Sequence, residues 1–91
     1  MRIVDNKFDA TCIERIAQTS IPRVKKCLEN NGRTSCTEVQ AVSLTAALIA
    51  WWIDAFHGDG RMMFKLGDIV KPYNMTMDAA LWCVSFFKDA L

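Results

Sequence analysis

Apolar residues recur along this chain at helical rather than strand spacing. From Asp9 onward, Ile13, Ile16 and Ala17 share one face, and Asp9 stands where a capping acid belongs. Thr19-Ser20-Ile21-Pro22 interrupts that pattern and predicts a break. Ser20 would cap a second helix and Pro22 would lie in its first turn, where a missing N–H costs little. Ile21, Val24, Cys27 and Leu28 form the stripe of that second helix, and Asn30-Asn31-Gly32 ends it with residues that tolerate a left-handed backbone.

Ser35-Cys36-Thr37-Glu38 has the S-x-x-E form of a capping box and opens a third helix, which runs to His57 and stops at Gly58-Asp59-Gly60. One stripe carries Val42, Ala46, Ile49, Ile53 and Phe56; the opposite one carries Leu44, Ala47, Leu48, Trp51 and Ala55. A helix apolar nearly all round is either wrapped by its neighbours or shared with a second subunit. The uninterrupted run from Ala41 to Ile53 falls short of the ~20 apolar residues of a bilayer span, so no membrane is expected. Residues 66–73 fit a short strand or a short helix ending at Pro72-Tyr73-Asn74. The helical reading explains more. Thr76 then caps a final helix, Asp78 complements its N-terminus, and Ala80, Val84, Phe87 and Leu91 form its buried stripe. The expected fold is all-α: one domain over residues 1–91, a compact bundle of about five helices around a long apolar central helix.

Composition agrees with a folded domain, at 52 % hydrophobic and 23 % charged residues. No apolar segment of the signal-peptide kind opens the chain, so a cytoplasmic location is expected. Cys12, Cys27, Cys36 and Cys83 lack C-x-x-C spacing, and with His57 the single histidine no metal centre or cofactor is expected. The cysteines read as reduced thiols acting as small hydrophobes. A hydrolase or transferase needs a clustered nucleophile, base and orienting group, and nothing in the chain suggests one. The expectation is a protein that is not an enzyme.

The charges nearly cancel, with 11 Lys plus Arg against 10 Asp plus Glu. They are unevenly placed. Up to Arg33 there are seven basic and four acidic residues, and beyond it four basic and six acidic. Arg23, Lys25 and Lys26 fall on one predicted helix with Arg33 just past it, a candidate patch for phosphates and bases of duplex DNA.

Ile69, Asn74, Met75, Thr76, Ala80 and Val84 stand in the order of apolar residue, left-handed turn residue, apolar plug and capped second helix. Residues 68–84 thereby resemble helix-turn-helix DNA-binding domains, whose two short helices share one small core at a steep angle. Ile13, Val24 and Leu28 repeat the separations of Ile69, Ala80 and Val84, a second and fainter instance. The resemblance implies a small, dimeric DNA-binding transcriptional regulator. The second helix of the motif, however, exposes Met77, Asp78, Leu81, Trp82 and Ser85, few of which suit a major groove. The competing expectation is a protein-binding inhibitor or adaptor, of the kind mobile elements such as phages encode. It would act through Trp51, Trp52, Met77, Leu81 and Trp82 and make no DNA contact.

Overall fold

The computed structural model describes residues 9–30 and 37–90. Every regular element among them is helical: α1 (Ala10–Asn30), α2 (Thr37–His57), α3 (Leu66–Val70) and α4 (Met77–Val84). Single 3₁₀ turns lie at Met63–Lys65, Lys71–Tyr73 and Phe87–Ala90. The all-α expectation holds, with four α-helices rather than five because the break expected at Pro22 does not occur.

α1 begins at Asp9, whose Oδ1 accepts from the Cys12 N–H at 2.9 Å and so satisfies an otherwise orphan donor. The helix then continues without a break through Pro22. A proline in a helix interior removes one backbone bond and crowds the preceding turn, at a cost of about 3 kcal/mol. Continuity more than offsets this. It aligns Ile16, Ser20, Val24 and Leu28, four residues apart, on one buried line, and Ile16, Val24 and Leu28 are all 0 % exposed. Each such apolar side chain contributes about 1.5–3 kcal/mol on burial. Ser20 is accordingly not a cap but a buried mid-helix residue. The fainter corner marked by Ile13, Val24 and Leu28 is likewise one unbroken helix. Ser35, the expected capping residue of the next helix, lies outside the described residues, as does Leu91.

α2 packs antiparallel to α1. Lys25 near the end of α1 reaches Glu38 at the start of α2, with Nζ 3.0 Å from Oε1. Ile13 and Ala17 near the start of α1 meet Ile49 and Ile53 toward the end of α2. Of the two apolar stripes on α2 one is covered and the other only in part, since Ile49 is 2 % exposed and Ile53 half-buried. Ala41, Leu44, Leu48, Trp51 and Ala55 are buried, while Val39, Val42, Ala46, Ala50 and Phe56 are exposed. By length and composition α2 is also long enough to cross a membrane, although 44 % of its apolar window is buried inside the fold.

The link after α2 is pinned by Asp54, whose carbonyl accepts from Gly60 N at 2.8 Å and whose carboxylate accepts from Met62 N at 2.7 Å. Gly60 has a φ of +75°, which a glycine adopts without strain. Residues 66–70 are helical, which decides against the strand. The chain then turns sharply. Asn74 takes the left-handed conformation (φ 54°, ψ 31°), Met75 is buried, and the Thr76 hydroxyl accepts from Ala79 N at 3.1 Å to cap α4. Ala80, Cys83, Val84 and Phe87 carry the packing of this corner into the common core with α1 and α2.

Candidate interaction surface

α4 is short, is capped by Thr76 and packs its inner face into the core, which leaves its outer face on display. Ala80, Cys83 and Val84 point inward; Met77, Leu81 and Trp82 are 47 %, 46 % and 46 % exposed. The helix period places Trp82 opposite Ala80 and Val84, whereas Met77 and Leu81 stand at the margin of the inward face. The Trp82 ring is held edge-on to Phe86, centroids 4.9 Å apart at 79°. On Phe86 in turn sits the Arg23 guanidinium, 3.8 Å from the ring centroid. This cation–π contact ties α1 to the residues that follow α4, and it limits the rotamers of both side chains.

Two open grooves flank the Leu81–Trp82 ridge. One, of ≈ 510 Å³, is lined by Lys26, Cys27, Asn30, Ala79 and Trp82. The other, of ≈ 580 Å³, includes Trp52, Phe56, Leu81, Val84 and Lys88. Each therefore combines apolar walls with one lysine. A third groove of ≈ 460 Å³ lies on the opposite side, between α1 and α2, and is walled by Ile13, Ala17, Ala46, Ile49, Ala50 and Ile53.

The expected surface residues divide sharply. Met77, Leu81 and Trp82 are on the surface. Trp51 and Trp52, expected at the same interface, are only 3 % and 7 % exposed and serve the core. The reason is their register, on the side of α2 that α1, α3 and the C-terminal turn cover. The Trp51 indole N–H donates to the Met63 carbonyl at 3.2 Å, and Trp52 packs edge-on against Phe87 with centroids 5.6 Å apart.

The basic residues are less available than their number suggests. Lys25 is held by Glu38, whose hydrogen bond and charge raise the lysine pKa above its usual value. Arg23 is stacked on Phe86. Lys26 is exposed, and Arg33 lies outside the described residues. Among the described residues no group of three or more His, Cys, Asp and Glu side chains is arranged to hold a metal ion. His57, in the last turn of α2, packs its ring against Trp52 at 4.9 Å.

One exposed residue escaped the sequence reasoning. Phe64 is 92 % exposed, held out by a turn whose flanks are fastened to Trp51 and Asp54. Its run, Arg61-Met62-Met63-Phe64-Lys65, carried the only available signal, three consecutive large apolar residues between two cations.

No family model matches the chain, and no curated protein or solved structure is significantly similar to it. Function therefore rests on the surface itself.

Proposed function

We propose that this protein is a small helical interaction module that binds a protein partner through the outer face of α4 and performs no catalysis. The observation that carries this reading is the exposure of three large apolar side chains, Met77, Leu81 and Trp82, on one short capped helix. Large apolar side chains displayed together are the usual anchors of protein interfaces. Lys26 and Lys88 at the flanking grooves give the partner a stated chemistry, a segment with bulky apolar side chains and interspersed carboxylates. A random-peptide display selection tests this. Enriched sequences should combine aromatic or aliphatic residues with Asp or Glu, and Trp82→Ala should weaken their binding at least about tenfold with helix content unchanged. Enriched peptides indifferent to Trp82 and Leu81 would remove the proposal.

The sharp corner at Asn74 and the exposed Lys26 favour a second reading, a DNA-binding regulator in which Arg23, Lys25, Lys26 and Arg33 contact phosphates or bases. Its support is weaker, because Lys25 and Arg23 already have partners and Asp78 stands in the first turn of α4. It requires duplex retardation that falls steeply with salt and is lost when those four residues are neutralised.

A second copy of the chain is the partner proposed for the outer strip of α2. Val39, Val42, Ala46 and Ala50 are exposed at spacings of three and four, with Phe56 further along, as on the seam of paired helices.

A further inference from the structure

Of the free cysteines, Cys27 on α1 and Cys83 on α4 lie with their sulfurs 3.6 Å apart, although 56 residues separate them in sequence. Two thiols in van der Waals contact across a helix interface need to close by only about 1.5 Å to reach the bond length of a disulfide. Their surroundings differ. Cys27 is half-buried and lines the groove beside Lys26 and Trp82, so a small oxidant can reach it from solvent. Cys83 is 1 % exposed. Burial, reinforced by the neighbouring Cys27, pushes its thiol up to about 12, so it stays protonated at neutral pH. Cys12 has no such partner on its own helix. It precedes Cys27 by fifteen positions, a rise of about 22 Å.

We propose that Cys27 and Cys83 form an oxidation site, in which a hydroperoxide converts the contacting thiols into a disulfide that ties α4 to α1. Cys27 acts first. Its sulfur attacks one peroxide oxygen, the O–O bond breaks, and water leaves, giving the Cys27 sulfenic acid. The Cys83 sulfur then attacks the Cys27 sulfur; the S–O bond breaks, and the hydroxyl departs as water with the proton of the Cys83 thiol. Two thiols and one hydrogen peroxide thus become one disulfide and two waters, with two electrons passing from sulfur to oxygen. The bond lies under the groove formed by Lys26, Asn30, Ala79 and Trp82, so oxidation fixes the spacing of its two walls. The pairing itself does not depend on what that groove binds.

The test uses the whole reduced protein and hydrogen peroxide, followed by alkylation in denaturant and peptide mapping. Cys27 and Cys83 should disappear together from the alkylated pool and reappear as one linked peptide pair, while Cys12 and Cys36 remain alkylated. The loop closed is long, so Tm should rise on the order of 10 °C and return on adding dithiothreitol. In Cys83→Ala the reaction should stop at a Cys27 sulfenic acid that a 1,3-dione probe captures; in Cys27→Ala, Cys83 should persist as a thiol. Linkage of Cys27 or Cys83 to Cys12 or Cys36, disulfides mainly between chains, or survival of both thiols would overturn the proposal. The wild-type map decides the matter even if a variant folds poorly.

Discussion

Thr45 buries its side chain on α2 and its hydroxyl finds no hydrogen-bond partner among the described residues; Ser20 does the same on α1. A hydroxyl removed from water without a new partner costs about 1–3 kcal/mol. Thr45→Val keeps the branched shape and removes that cost. The expected outcome is a gain of about 1 kcal/mol in unfolding free energy, read as a higher urea midpoint at unchanged slope; a loss of stability would show that the hydroxyl is satisfied. Cys83 supplies a pH dependence of defined sign. Its thiol in the folded protein titrates near 12, above the ordinary value of 9.0, so between these limits the folded chain keeps a proton that the unfolded chain has released. The stabilisation is complete below pH 9 and is lost as pH rises toward 12. Burial raises it most, Cys27 raises it further, and Arg23 lowers it. The slope attributable to this thiol is at most about 1.4 kcal/mol per pH unit, and Cys83→Ala should flatten that part of the urea-midpoint profile in the reduced protein.

At the scale of the elements, Pro22 is the clearest conflict between local preference and packing. Pro22→Ala restores an N–H to the middle of α1 at an exposed site, while the unfolded chain gains freedom that partly cancels the benefit. A net stabilisation of about 2 kcal/mol is expected by chemical denaturation. No gain, or a loss, would mean that the proline itself is required for packing. The same residue marks the limit of what sequence can specify. Asp9, Asn74 and Thr76 were legible because capping and left-handed turns are decided by neighbours a few positions away. The break at Pro22 was misread because burial of Ile16, Val24 and Leu28 on one line, a tertiary effect, outweighs a local penalty. For α2 the length and the apolar character were readable, but not which side is covered. A pattern hydrophobic all round gives Trp51 and Trp52 the same standing as residues that reach the surface. Met77, Leu81 and Trp82 are exposed as the sequence suggested; the helix capped at Thr76 puts Trp82 opposite Ala80 and Val84, while Met77 and Leu81 sit at the margin of the buried face. Phe64 was not, since its exposure follows from hydrogen bonds that anchor the residues around it.

At the scale of the whole molecule, the charges decide how a second copy would lie on α2. No ionisable side chain interrupts α2 between Glu38 and Asp54, so the outer strip can face itself without repulsion. Because α1 and α2 are antiparallel, the charges sort to the two ends of the pair. Arg23, Lys25 and Lys26 outnumber Glu29 and Glu38 at one end, while Asp9, Glu14, Asp54 and Asp59 outnumber Arg15 and Arg61 at the other. An antiparallel twofold pairing sets the basic end of each copy against the acidic end of its mate and opposes the helix dipoles. A bilayer with anionic lipids offers no such match, because carboxylates close both ends of the strip. The wild-type chain should therefore scatter light as twice its 10.3 kDa. Ala46→Glu places a charge at the centre of the strip on an exposed position, where folding is unaffected but pairing would bury it uncompensated. That variant should dissociate at concentrations at least about a hundredfold higher than the wild type, with the far-UV spectrum preserved. Trp82→Ala should leave the mass unchanged, which separates pairing along α2 from docking on α4. A wild-type chain that stays monomeric at millimolar concentration, or a dimer indifferent to Ala46→Glu, would show that the strip is not where copies meet.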